Sequence, residues 1–249
     1  METETKQEEI KELKKESALN SKLIAQALIV GAVIIAGAIL LKGTPPPQNT
    51  EKDVASSLSE VDFPVVTNED HILGNQNASL VVVEYSDIEC PFCKVFHQTM
   101  NRIISEKGED IAWVYRHYPV AQLHQNAYIE AIATECAWLQ GGNTMFWLYI
   151  NKTFENTTSN DGLDTSTLPD IAQSLGLDKA KFTSCLENEE PKNKIEQSIT
   201  DGNTLGTKIF DRGLGTPVSF IIKNGKLVDV IMGAQPYEMV TATLDKYLK

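Results

Sequence analysis

The feature that most narrows the possible folds is a short run in which a strand, a turn and a helix follow one another with two cysteines on the turn. Leu80 to Tyr85 reads L-V-V-V-E-Y, β-branched and nearly all apolar, the pattern of a central strand covered on both faces. Cys90-Pro-Phe-Cys93 comes next, and from Cys93 onward Phe96, Met100, Ile103, Ile104 and Lys107 recur at spacings of three and four. A helix therefore begins at or beside the cysteine pair. Ile111 to His117 (I-A-W-V-Y-R-H) is a second strand, at the distance a parallel β-α-β unit requires.

From Leu123 to about Gly206 the pattern turns helical. Ala127 to Gln140 stops at Gly141-Gly142, Asn143 can cap Thr144 to Phe154, Leu168 to Leu175 stops at Gly176, and Asp178 can cap Lys179 to Leu186. Pro191 fits the first turn of a longer helix ending near Gly206. Strands return at Val218 to Ile222 and Lys226 to Ile231 around Asn224-Gly225, a dipeptide that favours a two-residue hairpin, and Pro236 opens a last helix. The expected class is α/β, in the order β-α-β, a helical block, then β-β-α.

Ahead of this lies Leu23 to Leu41, which carries no charge and as a helix would reach roughly 28 Å, about the hydrocarbon thickness of a bilayer. It is expected to be a single N-terminal transmembrane helix. Ala36 and Ala38 have the spacing of a signal cleavage site, but they sit inside the apolar run behind a long leader, so an uncut anchor is the expectation. Lys6, Lys11, Lys14, Lys15 and Lys22 precede the span while Lys42 and Lys52 follow it. That bias places residues 1–22 in the cytoplasm and everything after the span outside, making a single-pass protein of the cell membrane. Residues 42–62, rich in Pro, Ser and charge, read as an extracytoplasmic linker. The folded domain is then 63–249, with a helical insertion at about 119–206. The net charge of -12 falls on the part beyond the span, which leaves nothing basic to grip phosphates and excludes nucleic acid as a partner class.

A C-x-x-C on the first turn of a helix sets its leading thiol against unpaired N–H groups at the positive end of the macrodipole. That favours thiolate over thiol, and the thiolate is the nucleophile. Cys93, a turn further in, is more sheltered and suits the resolving role. Pro91 and Phe92 bring no positive charge, so thiolate stabilisation is expected to rest mainly on the helix end. Cys90, Cys93 and His97 also have C-x2-C-x3-H spacing, but a closed zinc site needs four ligands and no second paired motif exists, so no metal is assigned. His97 is expected at the surface near the rim of the cysteine site, and His71, His117 and His124 in packing or solvent.

With the C-P-x-C in place, Glu84 six residues before it, the helical insertion and Gly215-Thr-Pro217-Val-Ser-Phe before the hairpin, the sequence resembles the DsbA-like thiol-disulfide oxidoreductases of the thioredoxin superfamily. Leu73 to Ala78, Leu123 to Ala127 and Gly233 to Tyr237 are similar to their membrane-anchored bacterial branch, and the resemblance runs from about Asp70 to Leu248. It implies a thioredoxin fold with an inserted helical domain. It also implies that Cys90 attacks and Cys93 resolves, and that Pro217 is a cis-proline lying against the pair. Thr216, with Pro217 and Phe92, would then meet an extended substrate segment. Glu84 would be a partly buried carboxyl that relays a proton to or from Cys93. The implied activity is dithiol oxidation of folding proteins, with isomerase or reductase as alternatives. No bound cofactor is implied, since the sulfurs carry the electrons, and a DsbB-like or vitamin K epoxide reductase-like membrane partner would reoxidise the pair. A different class stays open: a redox-silent tethered binding module whose C-P-F-C is a structural clip.

The remaining cysteines, Cys136 and Cys185, fall on two different expected helices. In an oxidising compartment a bridge between them is the expectation, and two separately buried thiols the alternative. Trp113, Trp138 and Trp147 lie in periodic segments and are expected in the core.

Overall fold

The computed structural model describes residues 58–248. The expected transmembrane helix Leu23 to Leu41, the cytoplasmic segment 1–22 and most of the linker lie outside the described residues. No helix among the described residues is long and apolar enough to cross a membrane.

Five strands form one sheet in the order β1-β3-β2-β4-β5: β1 His71–Gly74, β2 Leu80–Ser86, β3 Ile111–His117, β4 Val218–Lys223 and β5 Lys226–Met232. β2 and β3 run parallel, joined by α1 (Pro91–Lys107), and every other neighbouring pair is antiparallel. β2 is thus a central strand with partners on both sides, as its apolar run requires. The hairpin between β4 and β5 turns through Asn224 and Gly225, both with positive φ (51° and 77°), a backbone shape for which Gly needs no steric concession.

The helical block comprises α2 (Ala127–Asn156), a short 3-10 turn at Thr165–Thr167, α3 (Leu168–Ser174), α4 (Lys179–Cys185) and α5 (Glu189–Phe210). α6 (Tyr237–Asp245) closes the chain with Pro236 as its N-cap. The insertion therefore runs a turn past the expected Gly206. α2 is two helical stretches that meet at a break at Gly142 (φ 66°, ψ -161°), where the Gly141-Gly142 stop is expected. Asn143 serves as a clamp rather than a cap. Its Oδ1 accepts from the Ile72 N–H at 3.1 Å and its Nδ2 donates to the Ile72 carbonyl at 2.6 Å. This pair of bonds ties α2 to the outer side of β1, a four-residue edge strand too short to announce itself by alternation.

Alternation along the sheet sorts the core into faces. Leu80 and Val82 of β2 and Trp113 and Tyr115 of β3 point to the side covered by α1, α6 and the second half of α2, where Phe96, Met100, Ile103, Phe146 and Val240 are buried. Val83, Tyr85, Val114, Phe220 and Leu205 pack on the opposite side, against α5. The period of two then fixes Glu84 on the α1 side, in line with Leu80 and Val82. A third cluster, including Ile132, Tyr149, Leu168, Phe182 and Ile195, holds the helical block together around a Cys136–Cys185 disulfide.

Candidate active site

Cys90 is the N-cap of α1, with extended φ/ψ (-75°, 120°), and Pro91 occupies the first helical turn where its missing N–H costs nothing. No side chain caps this helix and no acidic residue lies in its first turn, so its free N–H groups are left for sulfur. Cys90 retains 5% exposure and Cys93 none, and both are free thiols. The Cys93 thiol, with the backbone N–H groups of Cys93 and Phe92, pulls Cys90 down to about 6 against the cost of its burial. Burial pushes Cys93 well above the usual thiol range, and the nearby Cys90 adds to that. The two sulfurs are thus driven apart in acidity by one being at the helix mouth and the other behind it.

The Thr216–Pro217 bond is cis, and the Cys90 thiol faces the Thr216 carbonyl at 3.5 Å. Phe92 is 64% exposed on the rim, with Val95 one turn along the same helix face. Beneath the pair, Glu84 is completely buried, and its Oε2 accepts from Trp113 Nε1 at 2.9 Å. Burial raises its carboxyl to about 7, the indole bond only partly opposing the shift. The site thus brings together Cys90, Cys93, Glu84, Thr216, Pro217 and Phe92. Cys136 and Cys185 are joined to each other within the helical block, with Cα atoms 5.8 Å apart.

The surface position expected for His97 is corrected. His97 is 2% exposed, stacks among Trp113, Trp147 and Phe154, and shares a 2.6 Å hydrogen bond with Asn151. One turn beyond Cys93, it lies on the same inward face of α1, and burial lowers its pKa to about 4. Trp113 and Trp147 are core residues, while Trp138 is only partly buried.

Sequence reasoning passed over several buried polar groups. Asp87 and Glu89, on the turn before Cys90, are both buried. Glu89 accepts from Thr157 Oγ1 at 2.8 Å and Gly162 N–H at 3.1 Å. Beside it, burial and the Glu89 carboxyl push Glu130 up to about 10, so it keeps its proton at neutral pH. A run of acids next to a cysteine motif was the available signal, but which of them turn inward is decided by the turn.

One group among the described residues has metal-ligand geometry: His71, His117 and Glu135, with donor atoms within 4.8 Å of one another. Both imidazoles meet Glu135 Oε1, at 2.5 and 3.0 Å, and Lys194 Nζ lies 3.1 Å from Oε2. The carboxylate is therefore already balanced by a cation of the chain itself. A cavity of about 280 Å³ opens beside this cluster, and it is lined by neither cysteine of the pair.

A family model described as Thioredoxin matches residues 66–246, so the chain belongs to the thioredoxin family, and its build is that of a DsbA-type thiol-disulfide oxidoreductase. DsbA2 of Pseudomonas aeruginosa is 28% identical with a TM-score of 0.61, the alignment covering 74% of this chain and 96% of that one. BdbD of Bacillus subtilis, in its oxidised form, shares the fold at 23% identity and a TM-score of 0.61, covering 75% and 96% of the two chains. Among curated proteins, the Na(+)/H(+) antiporter NhaA 1 of Mycolicibacterium vanbaalenii is 35% identical over 119 residues, which are 48% of this chain and 18% of the antiporter. The chain spans about a fifth of that relative's length.

Proposed function

We propose that the protein is an extracytoplasmic dithiol oxidase, held at the cell membrane by Leu23 to Leu41, that introduces disulfides into folding proteins. The observation that carries this is the division between the two sulfurs: one at the helix mouth, reachable and stable as thiolate, the other sealed and proton-holding. A Cys90 thiolate stabilised at that mouth favours the reduced pair, which makes the Cys90–Cys93 disulfide a stronger oxidant, and it leaves readily when the mixed disulfide is resolved.

In the proposed cycle a substrate thiolate attacks Cys90 Sγ in the oxidised pair. The Cys90–Cys93 bond breaks, a mixed disulfide forms at Cys90, and Cys93 departs with the electron pair and takes a proton from Glu84. A second substrate thiolate then attacks the substrate sulfur of the mixed disulfide and releases Cys90 as thiolate. Two electrons pass from substrate to protein, and a membrane partner of the DsbB or vitamin K epoxide reductase kind removes them. The backbone at Thr216, beside Cys90, is where an extended substrate segment would pair, with Phe92 as its apolar edge.

Equilibration with glutathione mixtures tests the direction. An oxidase should poise above about -200 mV, whereas a value near about -270 mV would make it a reductase. Cys93→Ala should accumulate mixed disulfides with clients on non-reducing gels, and a clip would give none.

A further inference from the structure

The tripeptide after Cys90 supplies no cation, and Lys94, the nearest basic residue on α1, is tied to the Thr157 carbonyl at 2.5 Å. The nearest imidazole bonded to this turn comes from another element. His124, in the loop between β3 and α2, is 6% exposed, and its Nδ1 lies 2.9 Å from Asp87 Oδ2, itself fully enclosed. Facing a carboxylate that only accepts, that nitrogen must carry the proton. Asp87 is held rigidly: Oδ2 also accepts from the Val120 N–H at 2.7 Å, and Oδ1 from the Glu89 N–H at 2.9 Å. Its own N–H donates to Cys93 Sγ at 3.4 Å, and its carbonyl accepts from the Cys90 N–H at 3.2 Å. One residue therefore joins the imidazole to both cysteines.

We infer that His124 is a positioning residue of the redox site: as an imidazolium anchored by Asp87, it is the counter-ion of the Cys90 thiolate and sets how strongly the pair oxidises. The inference rests on the exchange reading above. The other charged groups nearby are neutral or engaged elsewhere. Glu130 is protonated at neutral pH, Glu89 is engaged by Thr157 and Gly162, and Asp161, from the loop after α2, accepts from the Asn126 N–H at 2.8 Å. Burial works against a charge on His124, but Asp87 outweighs it, with Cys90 and Asp161 adding, so its pKa lies above the usual 6.5. The cation is present below that raised value and is lost as pH rises through it, so the help it gives the thiolate fades on the alkaline side.

The test compares the full-length chain with His124→Gln, which keeps a hydrogen-bond donor and removes the charge. Thiolate absorbance against pH should show the Cys90 midpoint about 0.5–1 unit higher in the variant. The equilibrium constant for oxidising glutathione should fall about two- to fivefold at about pH 7, the gap narrowing at about pH 9. A parent and variant with the same midpoint and the same constant would overturn the inference. So would equal destabilisation of the oxidised and reduced forms with the constant unmoved, because that is what packing alone gives. If His124→Gln misfolds, the parent's own potential-pH curve decides: an inflection above pH 6.5 beyond those of the cysteines and Glu84 supports the ion pair, and its absence sinks it. A midpoint that shifts in a protein whose pair never exchanges would instead remove the oxidase reading and leave the ion pair standing.

Discussion

The indole N–H of Trp113 donates to Glu84 Oε2 across 2.9 Å inside the layer between the sheet and α1, where neither residue has any exposure. One strand supplies the acid and the next supplies its donor, both facing the helix that begins at Cys90. A carboxyl so placed is held in a fixed orientation without a cation to ionise it, which suits it to exchange a proton near neutrality.

Glu84 should therefore make the folded protein less stable as pH rises. Its carboxyl ionises at 4.5 when unfolded and at about 7 when folded, so the folded state binds more protons in that window and stability falls through it. The loss attributable to this residue is about 3 kcal/mol. Urea melts of Glu84→Gln should show no such loss, and the variant should overtake its parent at alkaline pH. Its exchange rate should also lose the inflection near neutrality, and a retained inflection would remove Glu84 from the proton path.

The acidity gap between the cysteines predicts single alkylation. Iodoacetamide at neutral pH is expected to label Cys90 and leave Cys93 untouched, which peptide mass spectrometry reads directly. For the reduced protein, Cys90 is depressed from 9.0 to about 6, so its contribution to stability is full above 9.0 and is lost as pH falls through about 6. Reduced-form melting should rise across that interval, in the opposite sense to the Glu84 effect.

The Cys136–Cys185 bridge closes a sequence separation of 49 residues. Replacing both cysteines with Ala should cost about 4 kcal/mol in a denaturant melt by the chain-entropy relation. Glutathione equilibration at Cys90 and Cys93 should be unchanged, since the bridge packs with Tyr149 and Phe182 in the helical block. A shifted redox constant would show that the insertion is coupled to the pair.

Gly206 allows α5 to meet the segment that leads into Thr216. A β-carbon there would stand 2.6 Å from the Arg212 carbonyl oxygen and 2.9 Å from the Leu214 nitrogen, both backbone atoms that cannot rotate aside. Gly206→Ala is expected to lose about 1–3 kcal/mol and to slow exchange by displacing the Thr216 backbone from Cys90. Normal exchange with a lowered melting temperature would confine its role to packing.

Much of the fold was legible because it depends on local rules. The apolar run of β2, the three-four spacing after Cys93 and Asn224-Gly225 each state their own conformation. β1 was not legible: its four residues become a strand through pairing with β3 and through the Asn143 clamp from α2. His97 was misplaced for a related reason. Helical spacing says which residues share its face, but that this face is roofed by Trp147 and Phe154 depends on where α2 returns.

Cys90 and Cys93 stood out in the sequence because sulfur at a helix mouth needs little beyond its own neighbours, whereas Glu84 and Pro217 were named only through the family resemblance. What tertiary structure alone decided is the electrostatics around them. Trp113 beneath Glu84, His124 on Asp87, and Glu130 against Glu89 come from separate strands, loops and helices, lying 29, 37 and 41 positions apart along the chain. Charge interactions act through space and strengthen with burial, so their sign and strength were fixed only when the chain closed and water was excluded.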